Sequence, residues 1–157
     1  MEVELSNYLN YRINIVVPNV SWGMFSHECD LIKLTPSGYC SEIEIKISLG
    51  DLKKDKEKSH KHMDGGVYGY RPNKIKYLYF AVPEYLEPHI QHIPERAGIL
   101  IVREFTNCGG YKFLKTFEIR APKQQGNYKF SEAERIKLLS LMAMRIWGLK
   151  QKLSKGT

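Results

Sequence analysis

Nowhere do the 157 residues approach the run of about 18 apolar residues that crosses a bilayer, so no membrane partner is expected. The opening "MEVELSNYLNYR" lacks the basic start and apolar stretch of a secretory signal, and the chain reads as cytosolic, or cytoplasmic. Cysteine is scarce: Cys29, Cys40 and Cys108 are odd in number and form no C-x-x-C pair. That excludes a disulfide framework, argues against a zinc site and leaves three buried, reduced thiols as the expectation. No internal repeat and no low-complexity linker divides the sequence, so residues 1–157 read as one domain. Positive charge is not lacking. Twenty-four Lys and Arg against 17 Asp and Glu give a formal charge of +7, which points to a polyanionic partner such as nucleic acid.

Short apolar runs alternate with turn chemistry through the first third. "INIVV" at 13–17 stops at Pro18 and Asn19, "CDLIKL" covers Cys29 to Leu34, and "TPSGY" supplies proline and glycine for a turn. "SEIEIKIS", Ser41 to Ser48, follows at once and completes a predicted antiparallel meander of three strands. Its period-two alternation sets Ile43, Ile45 and Ile47 on a core face and Glu42, Glu44, Lys46 and Ser48 on the other. Beyond Gly50, "DLKKDKEKSHKHMDGG" has the composition of a helix with an exposed basic face, capped at its start by Ser48 and Asp51. "KIKYLYFAVP" reads as a strand buried on both faces. "AGILIVREF" and "YKFLKTFEIR" read as two more, after the proline-rich connection Pro83 to Pro94 and the turn "NCGG". Ser131 and Glu134 have capping-box spacing and open a long final helix, with Ile136, Leu139, Met142, Ile146 and Leu149 as core-facing candidates. The element order predicts an α/β fold with helices packed on a sheet.

The meander has chemical content. Its turn brings Asp30 beside Glu44 and Lys46, which share one strand face. Two converging carboxylates with an adjacent lysine suit a divalent ion. Mg2+ prefers hard oxygen ligands and keeps several waters, so one or two carboxylates and substrate phosphate oxygens suffice. Such an ion activates water and stabilises charge at phosphorus, and a lysine adds a fixed positive charge there.

Asp30 on one strand and Glu44-Ile45-Lys46 on the next resemble the signature of the PD-(D/E)xK nuclease superfamily. With the surroundings "HECDLIKLTPSGYCSEIEIKISLGDLKKDKEK", "YLYFAVP" and "IPERAGILIV", roughly residues 13 to 103, the chain is similar to the small MmcB-like branch associated with DNA repair. The resemblance implies a restriction-endonuclease-like core, a mixed central sheet flanked by helices. It also implies an Mg2+- or Mn2+-dependent deoxyribonuclease in which Asp30 and Glu44 are catalytic metal ligands and Lys46 is the catalytic cation. Cys29 stands where the signature has its proline. Members often add an acid from a first helix, for which Glu2 and Glu4 are available, while Glu28, two residues from Asp30, is a nearer candidate ligand. Glu42 is a further candidate to line the site, with a solvated acid at the sheet edge as its first reading.

For nucleic-acid contact, the candidates are Lys53, Lys54 and Lys58 on the basic helix, and Tyr70, Arg71 and Lys74 in the glycine-rich loop "DGGVYGYRPNK". His60 and His62, with His27, suggest a metal cluster, but a histidine site is not expected, since His60 and His62 on a helix splay apart. Cutting both strands of DNA would use a homodimer. The alternative expectation is a DNA-binding repair or accessory protein that keeps the fold without cutting, and after it a basic structural protein.

Overall fold

The computed structural model describes residues 1–20, 23–25, 27–59 and 73–155. In chain order the elements are α1 (Glu2–Tyr8), β1 (Ile15–Val20), β2 (Cys29–Leu34), β3 (Cys40–Ile45), α2 (Leu49–Ser59), β4 (Ile75–Pro83), a 3-10 helix (Glu84–His92), β5 (Gly98–Thr106), β6 (Lys112–Arg120) and α3 (Glu132–Lys155). The six strands form one sheet in the order β1-β2-β3-β4-β5-β6. β1, β2 and β3 run antiparallel, β4 adds parallel to β3, β5 parallel to β4, and β6 antiparallel to β5. This is the predicted α/β architecture, a mixed central sheet with helices on its faces.

The two faces are built differently. Opposite Ile43 and Ile45, α1 lays Leu5 and Leu9 against Val16, Leu31, Ala81, Leu100 and Val102. The other face carries two separate apolar groups. One joins Leu138 of α3 to Val17, Ile32, Leu34 and Cys40. The second joins Leu52 of α2 and Leu86 of the 3-10 helix to Phe80, Val82, Ile99 and Ile101. β3 lies where these groups meet: Cys40 belongs to the first, and Phe80, paired with Glu44 in the β3–β4 register, belongs to the second. The polar face of β3 therefore falls in a seam between two dry patches.

Several expectations change. Proline does not end β1, which runs on through Pro18 to Val20. An edge strand tolerates a missing N–H because only one side is paired, and β1 has β2 alone as neighbour. The N-terminus forms a helix of seven residues, held by the burial of Leu5 rather than by a side-chain cap. β3 ends at Ile45, so Ile47 leaves the core face and is 64% exposed. Cys29 and Cys40 are buried as expected, but Cys108, in the β5–β6 turn, is exposed. β4 is only partly covered along its first half.

The long final helix is present, but of its expected core-facing residues Met142 alone packs on the sheet. Ile136, Leu139, Ile146 and Leu149 are exposed, while Leu138 is fully buried and Leu141 and Met142 pack beside it. Its start is the predicted capping box: Ser131 N–H donates to Glu134 Oε2 at 2.9 Å, and Glu134 N–H donates to Ser131 Oγ at 3.3 Å. Lys74 Nζ adds a bond of 2.7 Å to Glu134, and the Tyr128 hydroxyl another of 3.0 Å. Partial burial alone would raise the Glu134 carboxyl, but the bonds from Lys74, Ser131 and Tyr128 outweigh it and hold the group at about 2.

These contacts fix two expected outcomes in urea unfolding. Leu138→Ala costs about 2–4 kcal/mol through the cavity it leaves, whereas Leu139→Ala costs under about 1 kcal/mol; equal losses would mean the helix packs in another phase. Glu134→Ala costs about 1–2 kcal/mol at pH 7. Because the folded carboxyl titrates below its ordinary value of 4.5, that difference is complete above pH 4.5 and shrinks as pH falls toward 2.

Candidate metal centre

The site begins as a break in the sheet. The β2–β3 ladder runs from Leu34 and Cys40 to Leu31 and Ile43, and there β2 leaves β3. On its other edge β3 stays with β4 through Ile45 and Ala81, and Lys46 N–H still donates to Ala81 O at 3.0 Å. Departure of β2 would leave the Ile45 N–H without an acceptor, which is costly in a partly buried place. Asp30 fills the gap: its Oδ2 accepts from Ile45 N–H at 2.8 Å. The ladder ends before Asp30, so this bond to the backbone of Ile45, the neighbour of Glu44 in the chain, is what ties the predicted aspartate to β3.

Glu42, Glu44 and Lys46 follow on the seam face. Lys46 is 7% exposed and its Nζ donates to Glu44 Oε2 at 2.9 Å. Glu42 is 4% exposed and its Oε1 lies 2.6 Å from His27 Nε2. The Glu42 and Glu44 carboxyls are themselves within hydrogen-bonding reach of each other. Two buried carboxylates side by side cannot both ionise cheaply. Burial pushes both up, but the His27 hydrogen bond and charge reverse this for Glu42, which ends below the ordinary range. Glu44 carries the cost: burial and then the Glu42 charge raise it to about 7, against the pull of Lys46.

Among the described residues, one group of three potential metal ligands comes together: His27, Cys29 and Glu42, with a ligand atom from each within 4.8 Å of the others. His27 Nε2 lies 3.6 Å from Cys29 Sγ. The Cys29 thiol keeps its proton far above the usual range, first because it is buried and then because Glu42 and Glu44 face it.

Glu44 and Lys46 are thus paired on β3, and Asp30 reaches the Ile45 backbone between them without joining the ligand group found among the described residues; other assignments shift. Glu28 is exposed, one residue before β2 starts, and the alternation that would align it with Asp30 holds only inside a strand. Glu42 is buried and paired, not solvated, because β3 is third of six strands rather than an edge. Glu4 accepts from Thr116 of β6, and its helix lies on the opposite sheet face. Lys53 and Lys54 are exposed on α2, and Lys58 lies near the end of that helix. Lys74 is committed elsewhere, bonded to Glu134 and set over the Tyr128 ring. It precedes Ile75, about 16 Å down β4 from Phe80, the partner of Glu44. Tyr70 and Arg71, with His60 and His62, lie outside the described residues. The Ser48 cap is present, its Oγ accepting from Asp51 N–H at 3.1 Å.

Glu42 and His27 each draw notice in the sequence, but nothing there joins them with each other or with Cys29. The signal for Glu42 was its place two residues before Glu44, which guarantees a shared face. His27 groups with His60 and His62 and, sitting outside any periodic segment, cannot be placed beside Cys29 and Glu42 from the sequence.

No family model and no curated protein matches the chain. Among solved structures it is similar to SPO1766, a protein of unknown function from Silicibacter pomeroyi, at 18% identity and a TM-score of 0.58, over 96% of this chain and 86% of that one. At that identity the likeness concerns the fold alone.

The role of Asp30 in the backbone separates geometry from charge. Asp30→Ala leaves Ile45 N–H unsatisfied and is expected to lower stability by about 1–3 kcal/mol, while Asp30→Asn keeps an acceptor and costs under about 1 kcal/mol. Denaturant unfolding of the pair checks this.

Proposed function

We propose that the chain is a divalent-metal-dependent nuclease that hydrolyses phosphodiester bonds in cytoplasmic DNA, in repair or phage DNA processing. The observation that carries this reading is the crowding of Glu44 between a second buried carboxylate and the buried Lys46 ammonium, one residue from the Ile45 N–H that donates to Asp30. A carboxyl pair that resists full ionisation is relieved by a cation, so the residues fit the hard, oxygen-ligated ion that the signature implies. The order of parts agrees with it as well: aspartate on one strand, acid-x-lysine on the neighbour, then a helix and a parallel strand.

In this reading Asp30 and Glu44 hold Mg2+ or Mn2+. Bound there, the ion would supply activation of water and neutralisation of phosphate charge. The remaining work belongs to the chain. Ile45 N–H fixes one oxygen of Asp30, and a carboxylate retains lone pairs on both oxygens for further bonds. Lys46, held by Glu44, sets a positive charge where the phosphorane-like transition state gains negative charge. Lys53 and Lys54 stand exposed on the helix that begins three residues beyond Lys46, suited to the flanking phosphates. Cleavage of both strands would use two copies.

The expected result is Mg2+- or Mn2+-dependent cutting of DNA by the purified protein. Lys46→Ala should slow it by about 100-fold or more while DNA affinity stays within about twofold. A folded protein that leaves single-stranded, double-stranded, nicked and branched DNA intact with either metal would overturn the proposal. Salt-sensitive binding without cutting, unchanged by Asp30 and Glu44 substitution, would mark a DNA-binding protein instead.

A further inference from the structure

We infer that His27, Cys29 and Glu42 form a second metal centre, suited to a borderline divalent ion of the zinc class and separate from the carboxylates of Asp30 and Glu44. The inference stands on donor geometry and chemistry and does not depend on nuclease activity.

The donor set differs in kind from the neighbouring one. Imidazole and thiolate select zinc-class ions over Mg2+, which favours carboxylate and water oxygens alone. Geometry agrees. A tetrahedral zinc with bonds of about 2.0 Å to nitrogen and about 2.3 Å to sulfur sets those two atoms about 3.5 Å apart. His27 Nε2 and Cys29 Sγ are 3.6 Å apart. The 2.6 Å between His27 Nε2 and Glu42 Oε1 is the length of a charge-assisted hydrogen bond. Exchanging that proton for an ion requires an opening of under about 1 Å. His27 is the group able to make it, since its side chain is 28% exposed and it precedes β2.

Charge also balances. Binding releases the thiol proton of Cys29 and the proton between His27 and Glu42 to solvent, leaving thiolate, neutral imidazole and carboxylate. Two negative ligands and a divalent ion sum to zero, which suits a site where Cys29 and Glu42 are almost wholly buried. Three protein ligands leave a fourth position for water or substrate, as in catalytic rather than structural zinc sites. Glu44 is not a ligand in this set; its carboxyl accepts from Lys46 Nζ at 2.9 Å. Cys40 is not part of the group; its Sγ is turned to Ser41 O at 3.9 Å.

Cobalt reports on this directly, because thiolate ligation gives a near-ultraviolet charge-transfer band and tetrahedral coordination gives intense visible bands. The full chain carrying Cys108→Ser, which removes the exposed thiol, is stripped with a chelator and titrated with Co2+. One equivalent should produce both sets of bands, an equivalent of Zn2+ should erase them, and a large excess of Mg2+ should not. Cys29→Ser should abolish the charge-transfer band, and His27→Gln should weaken Co2+ binding at least about tenfold. Asp30→Asn should leave the spectrum unchanged even where it stops DNA cutting, which keeps failure of this centre distinct from failure of the nuclease reading. Absence of a charge-transfer band at one equivalent, or a band that survives Cys29→Ser, would show that His27 and Glu42 are only an ion pair. Should Cys29→Ser not fold, undiminished cobalt affinity in His27→Gln overturns the centre by itself.

Discussion

Everything distinctive about this protein depends on β3 being hydrogen-bonded along both edges. β2 pairs with one edge and β4 with the other, so a strand rich in charge is carried into the middle of a six-stranded sheet. Buried charge must be paired or neutralised. The chain meets that demand with two short contacts, Glu42 to His27 and Glu44 to Lys46. It meets the backbone demand with a third, the Asp30 carboxylate on Ile45 N–H. Remove β4 and the same residues would be an ordinary solvated face. Their chemistry is a consequence of topology.

The seam between the two apolar groups explains how such a strip is tolerated. α3 covers the sheet on the β1–β2 side, and α2 with the 3-10 helix covers it on the β4–β5 side. Neither extends over the whole of β3. Glu42, Glu44 and Lys46 therefore border dry packing on two sides without being enclosed in it, and His27 retains partial contact with solvent. Low polarisability nearby strengthens each pairing.

Much of this was legible in the residues. Period two placed Glu42, Glu44 and Lys46 on one face, turn chemistry joined β2 to β3, and the spacing of Ser131 and Glu134 announced a cap that is present in detail. What failed did so for identifiable reasons. Glu42 looked exposed because local alternation cannot tell an edge strand from a central one; only the parallel return of β4 decides it. The packed side of α3 was misjudged because apolar residues surround that helix, and Leu138 and Leu139 differ by a rotation that periodicity alone does not resolve. α1 is too short to form on propensity and exists through Leu5. His27 acquires its partners only when β2 and β3 have been paired.

Pro18 and Asn19 in β1 have a bearing on association. Asn19 adopts a positive φ of 51°, and Pro18 offers no N–H, so the outer margin of β1 is a poor template for another strand. The opposite margin, β6, is nine residues without proline. Its protection rests on the charges of Lys112, Lys115, Glu118 and Arg120 spaced along it. The sheet is thus polar in the sense of a one-way surface: lateral growth is blocked at one border by covalent structure and at the other only by electrostatics, which ionic strength can weaken.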